Sequence, residues 1–327
     1  MDRRNAVCYL ALLGAALWPA RITRAQPARN VKVAILTTAG GRGDTPFYIA
    51  MERRFRELGY IEGKNLTLVW HSAAGRLDKI PEIAAELAKA KPDVMIAPGS
   101  EVVLRAIRRV AGSTPIVMIA IDYDPVETNF VTSLARPGGN ITGLFLRQVE
   151  SAAKRLEMLK EALPTARRVA VLWDSFTRDQ LDFIEGTAKK LNLALQPYQM
   201  QGNPYDFETP LKDAKAKGAQ AVLALTSGPF FLVKEKMFAA AHAQRLPVVA
   251  NPNYAEAGAL IAFGASFSHI YMRAAEYVDR ILKGAKPGDL PIDQPNQYDL
   301  IVNLKTARAL DLKIPHSVLV RANRVIE

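Results

Sequence analysis

A strong chain breaker lies near the middle of the sequence, at residues 136–140, which read R-P-G-G-N. Pro137 fixes its own φ angle, and the two glycines after it permit φ angles that other residues avoid, so no regular element continues through this segment. About one domain's worth of alternating strand and helix patterns lies on each side. The surrounding stretch, residues 133–144, therefore predicts a passage from one lobe to another, with a cleft between them.

The first half of the chain alternates short apolar runs with amphipathic segments. The apolar runs, of the kind buried in a parallel sheet, are residues 31–38, 66–72, 94–97 and 116–121. Helix patterns follow the first three of these runs, with stop signals such as Gly59. This strand–helix order predicts a parallel sheet with helices on both faces, and ligands of such sheets bind beyond the carboxyl ends of the strands.

The second half repeats the same order. Apolar runs occur at residues 168–173, 194–200, 221–225, 247–250 and 260–264, separated by helix patterns. With 327 residues, the chain exceeds the usual size of one hydrophobic core. We therefore predict an α/β protein of two Rossmann-like lobes with parallel sheets and a hinge of several strands. The first lobe covers residues 31–144 with part of 269–297, and the second covers 148–268 with part of 298–327.

The first twenty-five residues have the features of a secretory signal peptide. Arg3 and Arg4 precede the apolar run at residues 6–20, and Thr23 and Ala25 occupy the −3 and −1 positions of a cleavage site. The apolar run is too short to span a membrane comfortably, and no later run is longer. The sequence therefore predicts a periplasmic protein that is cleaved near Ala25.

Charge and cysteine content restrict the partners of the chain. The net charge of +11 falls to +8 once the four Arg and one Asp of residues 1–25 are removed. Cys8 is the one cysteine of the sequence and lies within those residues, so we expect neither a disulfide nor a cysteine-based metal site. Lysines and arginines scattered over a solvated surface account for this charge, attraction to anionic ligands or to a membrane surface is the alternative, and no motif supports binding to nucleic acid.

Catalytic and cofactor motifs are not found in the sequence. The four histidines are far apart and fit no metal-binding spacing, and no G-x-S-x-G motif occurs. The glycine-rich segment at residues 40–44 matches neither a dinucleotide-binding nor a P-loop pattern. Asp122 and Asp124 form a close acidic pair, but no second acid across a cleft completes a general acid–base pair. We predict a protein that is not an enzyme and holds no cofactor or metal.

Side chains at the carboxyl ends of strands are the candidates for ligand binding. Ser100 and Ser227 precede helix patterns, so each either binds a ligand carboxylate or caps its helix. An aspartate such as Asp122 can pair with an ammonium group, and the aromatic residues suit a flat or apolar ligand. The full set of candidates is Thr37, Thr38, Ser100, Asp122, Tyr123, Trp173, Asp174, Phe176, Ser227, Phe230, Asn251, Tyr254 and Ser266.

Several segments resemble those of a known family along nearly the whole chain. They are F-R-E-L-G-Y-I-E-G-K-N at residues 55–65, D-P-V at 124–126, residues 133–143, K-R-L-E at 154–157, P-F-F at 229–231, G-A-K-P at 284–287, I-V-N-L-K-T-A at 301–307 and R-A-N-R-V-I-E at 321–327. The order of these segments resembles the substrate-binding proteins of ABC transporters for tryptophan or tyrosine uptake. That resemblance implies a fold like the type I periplasmic binding proteins.

The resemblance also implies a mechanism and partners. Two lobes close on a small organic ligand, and the closed protein docks on the membrane permease of an ABC importer. The expected ligand is an aromatic amino acid, or an aromatic or branched carboxylate, and the expected protein is a monomer. This chain departs from the family at Asp122-Tyr123 and at residues 173–176, where the ligand is expected. A ligand-binding component of a sensory system and a secreted α/β enzyme are the alternatives.

Overall fold

The computed structural model describes residues 30–38, 42–43, 45–202 and 204–327. The predicted signal peptide and most of the glycine-rich segment at residues 40–44 lie outside the described residues. In the part of the chain that is described, no helix is both long and apolar enough to cross a membrane.

A parallel sheet forms the first lobe. Within the described residues its strands are β1 (Val31–Thr37), β2 (Leu66–Ser72), β3 (Val94–Gly99), β4 (Ile116–Ile121) and β5 (Ile141–Leu146), in the order β2-β1-β3-β4-β5. The helices between them are α1 (Pro46–Glu57), α2 (Ile80–Lys89) and α3 (Glu101–Ala111). Because the sheet is covered on both faces, the strands β3, β4 and β5 are buried along almost their entire lengths.

A second, larger sheet forms the second lobe. Its strands among the described residues are β6 (Arg168–Trp173), β7 (Ala194–Gln199), β8 (Ala221–Ala224), β9 (Val248–Ala250), β10 (Ile261–Ala265), β11 (Tyr298–Asn303) and β12 (Arg324–Ile326), in the order β12-β11-β10-β9-β8-β6-β7. All neighbouring strands are parallel except β10 and β11, which are antiparallel. The α/β architecture of two lobes with mainly parallel sheets is thus confirmed.

Helices of the second half cover both sheets. Those that pack around the second sheet are α4 (Val149–Ala162), α5 (Arg178–Lys190), α6 (Glu208–Ala216), α7 (Gly228–Leu232), α8 (Lys234–Ala243), α10 (Leu304–Ala309) and α11 (His316–Leu319). The helix α9 (Phe267–Leu282) follows β10 in sequence but packs on α1 and on β3, β4 and β5. Short 3₁₀ turns lie at Leu77–Lys79, Pro252–Tyr254 and Pro287–Asp289.

The chain crosses between the lobes in the described residues after β5, after β10 and again before β11. The segment before β11 stays close to the first lobe at first, because the N–H of Phe145 donates to the carbonyl of Asp293 at 2.9 Å. The N–H of Ser266 then donates to the carbonyl of Gln297 at 3.0 Å, which joins two of the crossings. Together these connections join the two lobes.

The prediction that the breaker at residues 136–140 forms the passage between the lobes is wrong. It connects β4 to β5 inside the first lobe, since β5 pairs with β4 from Ile141 to Leu146. The breaker instead packs closely against the 3₁₀ turn that follows α9, and the N–H of Gly138 donates to the carbonyl of Gly288 at 3.2 Å. A Cβ atom on Gly288 would lie only 2.9 Å from the carbonyl oxygen of Gly139, so only glycine fits this contact without displacing the backbone.

Candidate functional site

A cavity of about 540 Å³ lies between the two lobes. Its walls come from the carboxyl ends of β1, β3 and β4 on one side and of β8 and β9 on the other. This is the position at which α/β sheets bind ligands, and the volume falls within the range of roughly 300–1,000 Å³ that is typical of small-molecule sites. The cavity is therefore the candidate site.

The two lobes touch each other around this cavity. The side chain of Leu232 from the second lobe lies 3.5 Å from the position that a Cβ atom on Gly75 of the first lobe would take. The Thr38 hydroxyl oxygen lies 3.8 Å from the corresponding position on Gly228. Contacts of this kind across the cleft show that the structure represents a closed arrangement of the lobes.

Aromatic rings from three helices form one part of the wall. The ring centroid of Phe47 in α1 lies 4.6 Å from that of Tyr271 in α9, 5.8 Å from that of Phe267 and 6.0 Å from that of Phe231 in α7. Tyr48 completes this aromatic wall, with its ring 5.2 Å from that of Tyr271. Because Phe231 belongs to the second lobe, closing the lobes brings it against Phe47 and completes an apolar, aromatic surface.

Three polar groups on the first-lobe side of the cavity lack hydrogen-bond partners in the described part of the chain. Among the described residues, the Ser100 hydroxyl, the Tyr123 hydroxyl and the Nε2 atom of Gln148 are buried, line the cavity and have no hydrogen-bond partner. Ser100 precedes α3, but its side chain does not cap that helix. Since buried polar groups are almost always hydrogen-bonded, these three residues bring unsatisfied polar atoms to the edge of the cavity.

Polar groups of the second-lobe wall are already bonded to each other. The Ser227 hydroxyl and the Tyr205 hydroxyl both donate to Oδ2 of the buried Asp174. Tyr254 donates from its hydroxyl to the carbonyl of Ser227 at 3.2 Å, and the side chain of Asn251 accepts from the N–H of Asn253 at 2.9 Å. Burial raises the pKa of Asp174, while the hydrogen bonds that it accepts act in the opposite direction. This wall is thus preorganised without a ligand.

Asp122 lies in the cavity wall at the end of β4, where it adopts the left-handed φ of 62°. Its Oδ1 accepts from the N–H of Gln148 at 2.7 Å, and its Oδ2 accepts from Nε2 of Gln180 at 3.1 Å. The pKa of Asp122 is raised to about 8, mainly by burial and also by the charge of the nearby Asp179, although these hydrogen bonds and the charge of Arg155 act in the opposite direction. The group can therefore change its charge near neutral pH.

The ionisable side chains that line the cavity are acidic. Glu101 and Asp122 are the acidic residues of the wall, and no Lys, Arg or His from the described part of the chain lines it. Arg155 of α4 is fully buried nearby, and burial lowers its pKa to about 10. The positive charge of this guanidinium lowers the pKa of Asp122 and so opposes the effect of burial. Arg155 itself does not line the cavity.

Eight of the residues predicted from the sequence line the cavity: Thr38, Ser100, Asp122, Tyr123, Phe176, Ser227, Asn251 and Tyr254. Five others lie outside it. Thr37 is buried at the end of β1, Asp174 lies behind Ser227, and Ser266 precedes α9 at a crossing between the lobes. Trp173 and Phe230 pack in the core of the second lobe, with Phe230 fully buried among Tyr205 and other side chains.

Other residues of the wall were not identified from the sequence. Among them are Phe47, Tyr48, Gln148, Tyr205, Phe231, Phe267 and Tyr271. Most of them lie on helices or in loops, where an aromatic residue at helical spacing indicates only a buried face. No local signal distinguishes Phe47 or Tyr271 from an ordinary core residue, because α1 and α9 meet only in the folded chain. Gln148 lies where the chain crosses from β5 to the second lobe. The sequence pattern does not show how this crossing is placed relative to the cavity.

Known proteins resemble this chain in sequence and in structure. A "Tyrosine-binding protein" of Clostridioides difficile is 25% identical over 269 residues, which are 80% of this chain and 75% of that protein. The structure of a Streptococcus pneumoniae ABC domain in complex with L-Trp matches with a TM-score of 0.79 at 20% identity, over 91% of this chain and 100% of the other. The leucine-binding protein of Thermotoga maritima matches with a TM-score of 0.55 at 14% identity, over 77% and 83% of the two chains.

These structural matches confirm the fold that was expected from the sequence, that of the type I periplasmic binding proteins. The family model for "ABC transporter substrate binding protein" matches residues 32–326, which is almost the whole described chain. The resemblance seen in the sequence is thereby confirmed as well. The cavity lies between two lobes, as a solute-binding protein requires, and the chain belongs to the family of ABC transporter substrate-binding proteins.

Proposed function

We propose that this protein is the extracytoplasmic solute-binding component of an ABC importer and that it closes on an aromatic amino acid. In this function the protein performs no catalysis. Residues 1–25 direct export and are then removed, and the closed monomer delivers its ligand to a membrane permease. Membership of the family supports the binding role, and the relatives whose names state tyrosine or L-Trp support the class of ligand.

The observation that carries the proposal is the composition of the cavity wall. The aromatic wall of Phe47, Tyr48, Phe231, Phe267 and Tyr271 suits the ring of the ligand. A ring of this kind contributes binding free energy through buried apolar area and through edge-to-face contacts with its neighbours. An aliphatic side chain of equal area gains only the first of these contributions.

The polar groups of the wall suit the α-amino and α-carboxylate groups. Asp122 is placed to accept from an ammonium group, whose positive charge stabilises the ionised carboxylate. The hydroxyls of Ser100 and Tyr123 and the Nε2 atom of Gln148 are donors for a carboxylate. Because the wall carries acidic residues and no basic side chain of the described residues, an amino acid fits better than a plain aromatic or branched carboxylate.

A calorimetric titration with matched ligands tests this proposal. The panel contains L-tyrosine and L-tryptophan, 3-(4-hydroxyphenyl)propionate without the amino group, tyramine without the carboxylate, and L-leucine without the ring. We expect an aromatic amino acid to bind, and the loss of either charged group to weaken binding by about tenfold or more. Equal affinity for 3-(4-hydroxyphenyl)propionate would remove Asp122 from the ammonium role. Preferential binding of L-leucine would contradict the aromatic class.

A further inference from the structure

Gln180 connects the two lobes behind the cavity. It belongs to α5 of the second lobe and is completely buried, and its Nε2 atom donates to Oδ2 of Asp122 in the first lobe at 3.1 Å. The same side chain holds the loop after β8. Its Nε2 atom also donates to the carbonyl of Thr226 at 3.0 Å, and its Oε1 atom accepts from the N–H of Thr226 at 3.0 Å.

These bonds determine which way the amide of Gln180 faces. The Thr226 N–H must meet an acceptor and the Thr226 carbonyl must meet a donor, so the oxygen and nitrogen of the amide cannot exchange places. The remaining hydrogen of Nε2 therefore points at position 122, where only an acceptor completes the arrangement. Asp122 supplies that acceptor while its other carboxyl oxygen is occupied by the N–H of Gln148.

The backbone of Asp122 is held in the geometry that this contact needs. Its N–H donates to the carbonyl of Leu146 at 3.0 Å, and its φ is positive, a conformation that Asp tolerates better than most residues. The charged groups that face its carboxyl are Arg155 of α4 and Asp179 of α5. Arg155 has no hydrogen-bond partner on any of its side-chain nitrogens within the described residues, so Asp122 is the lobe-to-lobe acceptor rather than one half of a direct ion pair.

We propose that Asp122, Gln180 and Thr226 form an interlobe link that stabilises the closed arrangement and places the loop of Thr226 and Ser227 against the ligand. Opening the lobes breaks the bond between Asp122 and Gln180 and exchanges it for bonds to water. The link thus couples closure to the position of the residues that line the second-lobe wall. It rests on the proposed binding function but not on the identity of the ligand.

The link can be tested by measuring the distance between the lobes with paired spin labels. In a Cys8→Ser background the chain has no native thiol, so cysteines at the exposed positions Arg109 in α3 and Lys215 in α6 can be labelled selectively. The protein is unfolded in guanidinium, dialysed and refolded, so that it carries no ligand. The measured quantity is the population with the interlobe distance of the closed structure.

We expect the ligand-free protein to populate that closed distance, and we expect Gln180→Met and Asp122→Asn each to reduce this population about tenfold. Asp122→Asn presents one oxygen and one amide nitrogen to two donors, the N–H of Gln148 and the Nε2 atom of Gln180, so one of the two contacts is lost. Combining both substitutions should reduce the population no further than the stronger single change does. The control is Gln196→Met, the same substitution at a second-lobe residue whose side chain donates, among the described residues, to the carbonyl of Lys217 alone. Its closed population should equal that of the parent protein.

Two results would overturn the proposal. One is an unchanged closed population in both Asp122→Asn and Gln180→Met, with melting temperatures showing that both variants are folded. The other is a ligand-free parent protein that never reaches the closed distance. Since no ligand is added, these results stay separate from the titration above. Failure of every aromatic amino acid to bind would contradict the proposed ligand class but not the link, and an unchanged closed population would leave the ligand class intact.

Discussion

The two walls of the cavity are built alike but differ in how their polar groups are bonded. Each wall consists of residues that follow parallel strands, and each places a serine before a helix, Ser100 in the first lobe and Ser227 in the second. The Ser100 hydroxyl is buried without a partner among the described residues, whereas the Ser227 hydroxyl donates to Asp174. Serines at equivalent positions thus differ: the hydroxyl of Ser100 has no partner among the described residues, and the hydroxyl of Ser227 holds the structure of its own wall.

This difference indicates that the two lobes contribute to ligand binding in different ways. An unpartnered buried hydroxyl costs free energy until a ligand or water bonds it, so the first-lobe wall gains most from binding. The second-lobe wall keeps its shape without a ligand because its bonds are internal. We therefore expect the polar groups of the ligand to bond to the first lobe, while the second lobe closes over them as a preorganised surface.

Removal of the Asp174 carboxylate should disrupt the hydrogen bonds of the second-lobe wall and give the largest loss of stability. In Asp174→Ala, the hydroxyls of Ser227 and Tyr205 and the N–H of Phe176 lose their acceptor in a buried site. We expect the free energy of unfolding, measured in urea, to fall by about 3 kcal/mol or more.

The matched control for that change is Asp182→Ala, which removes an exposed aspartate that pairs with Arg178 at 2.9 Å. It should alter the free energy of unfolding by less than about 0.5 kcal/mol. A similar, small loss in Asp174→Ala would show that other contacts hold the loop of Ser227.

The ionisation of Asp122 should make stability depend on pH. Its pKa is raised from 3.8 to about 8 in the folded chain, mainly by burial, so the folded state favours the protonated form. Stability from this group is complete below pH 3.8 and is lost as the pH rises towards 8. Between pH 6 and pH 8, urea unfolding of the parent protein should lose about 2 kcal/mol more than that of Asp122→Asn. Parallel pH profiles for the two proteins would contradict this assignment.

Much of the fold follows from local patterns in the sequence, and so do the polar residues at the strand ends. A parallel sheet exposes the carboxyl ends of its strands along one edge, so the residues that end β3, β4 and β8 could be identified before any contact was known. Ser100, Asp122 and Ser227 are examples, and all three line the cavity. The order of strands and helices likewise predicts two sheets, because each apolar run must be buried on both faces.

The direction in which an aromatic side chain points could not be predicted in the same way. Trp173 ends a strand whose last five residues are all buried, so alternation of side chains gives no indication of which face meets the cleft. In the structure it packs in the second-lobe core, beneath the guanidinium of Arg178 at 5.4 Å from the ring centroid. The aromatic wall of the cavity depends instead on α9, which returns to the first lobe and brings Tyr271 against Phe47. Contacts between residues so distant in sequence leave no local signal.

Replacement of the two serines by alanine sharpens the comparison of the walls, with the smallest expected effects. Ser227→Ala removes a donor from Asp174 and should lower the free energy of unfolding by about 1 kcal/mol. Ser100→Ala removes a hydroxyl that has no partner in the described chain, so stability should be unchanged or slightly higher. Affinity should respond in the opposite order. Ser100→Ala should weaken binding of an aromatic amino acid about tenfold in calorimetry, because the ligand carboxylate loses a direct donor, and Ser227→Ala should weaken it less. Equal effects of both substitutions on stability and on affinity would contradict this comparison. The first-lobe wall would then not be the one that bonds to the ligand, and the second-lobe wall would not be the preorganised one.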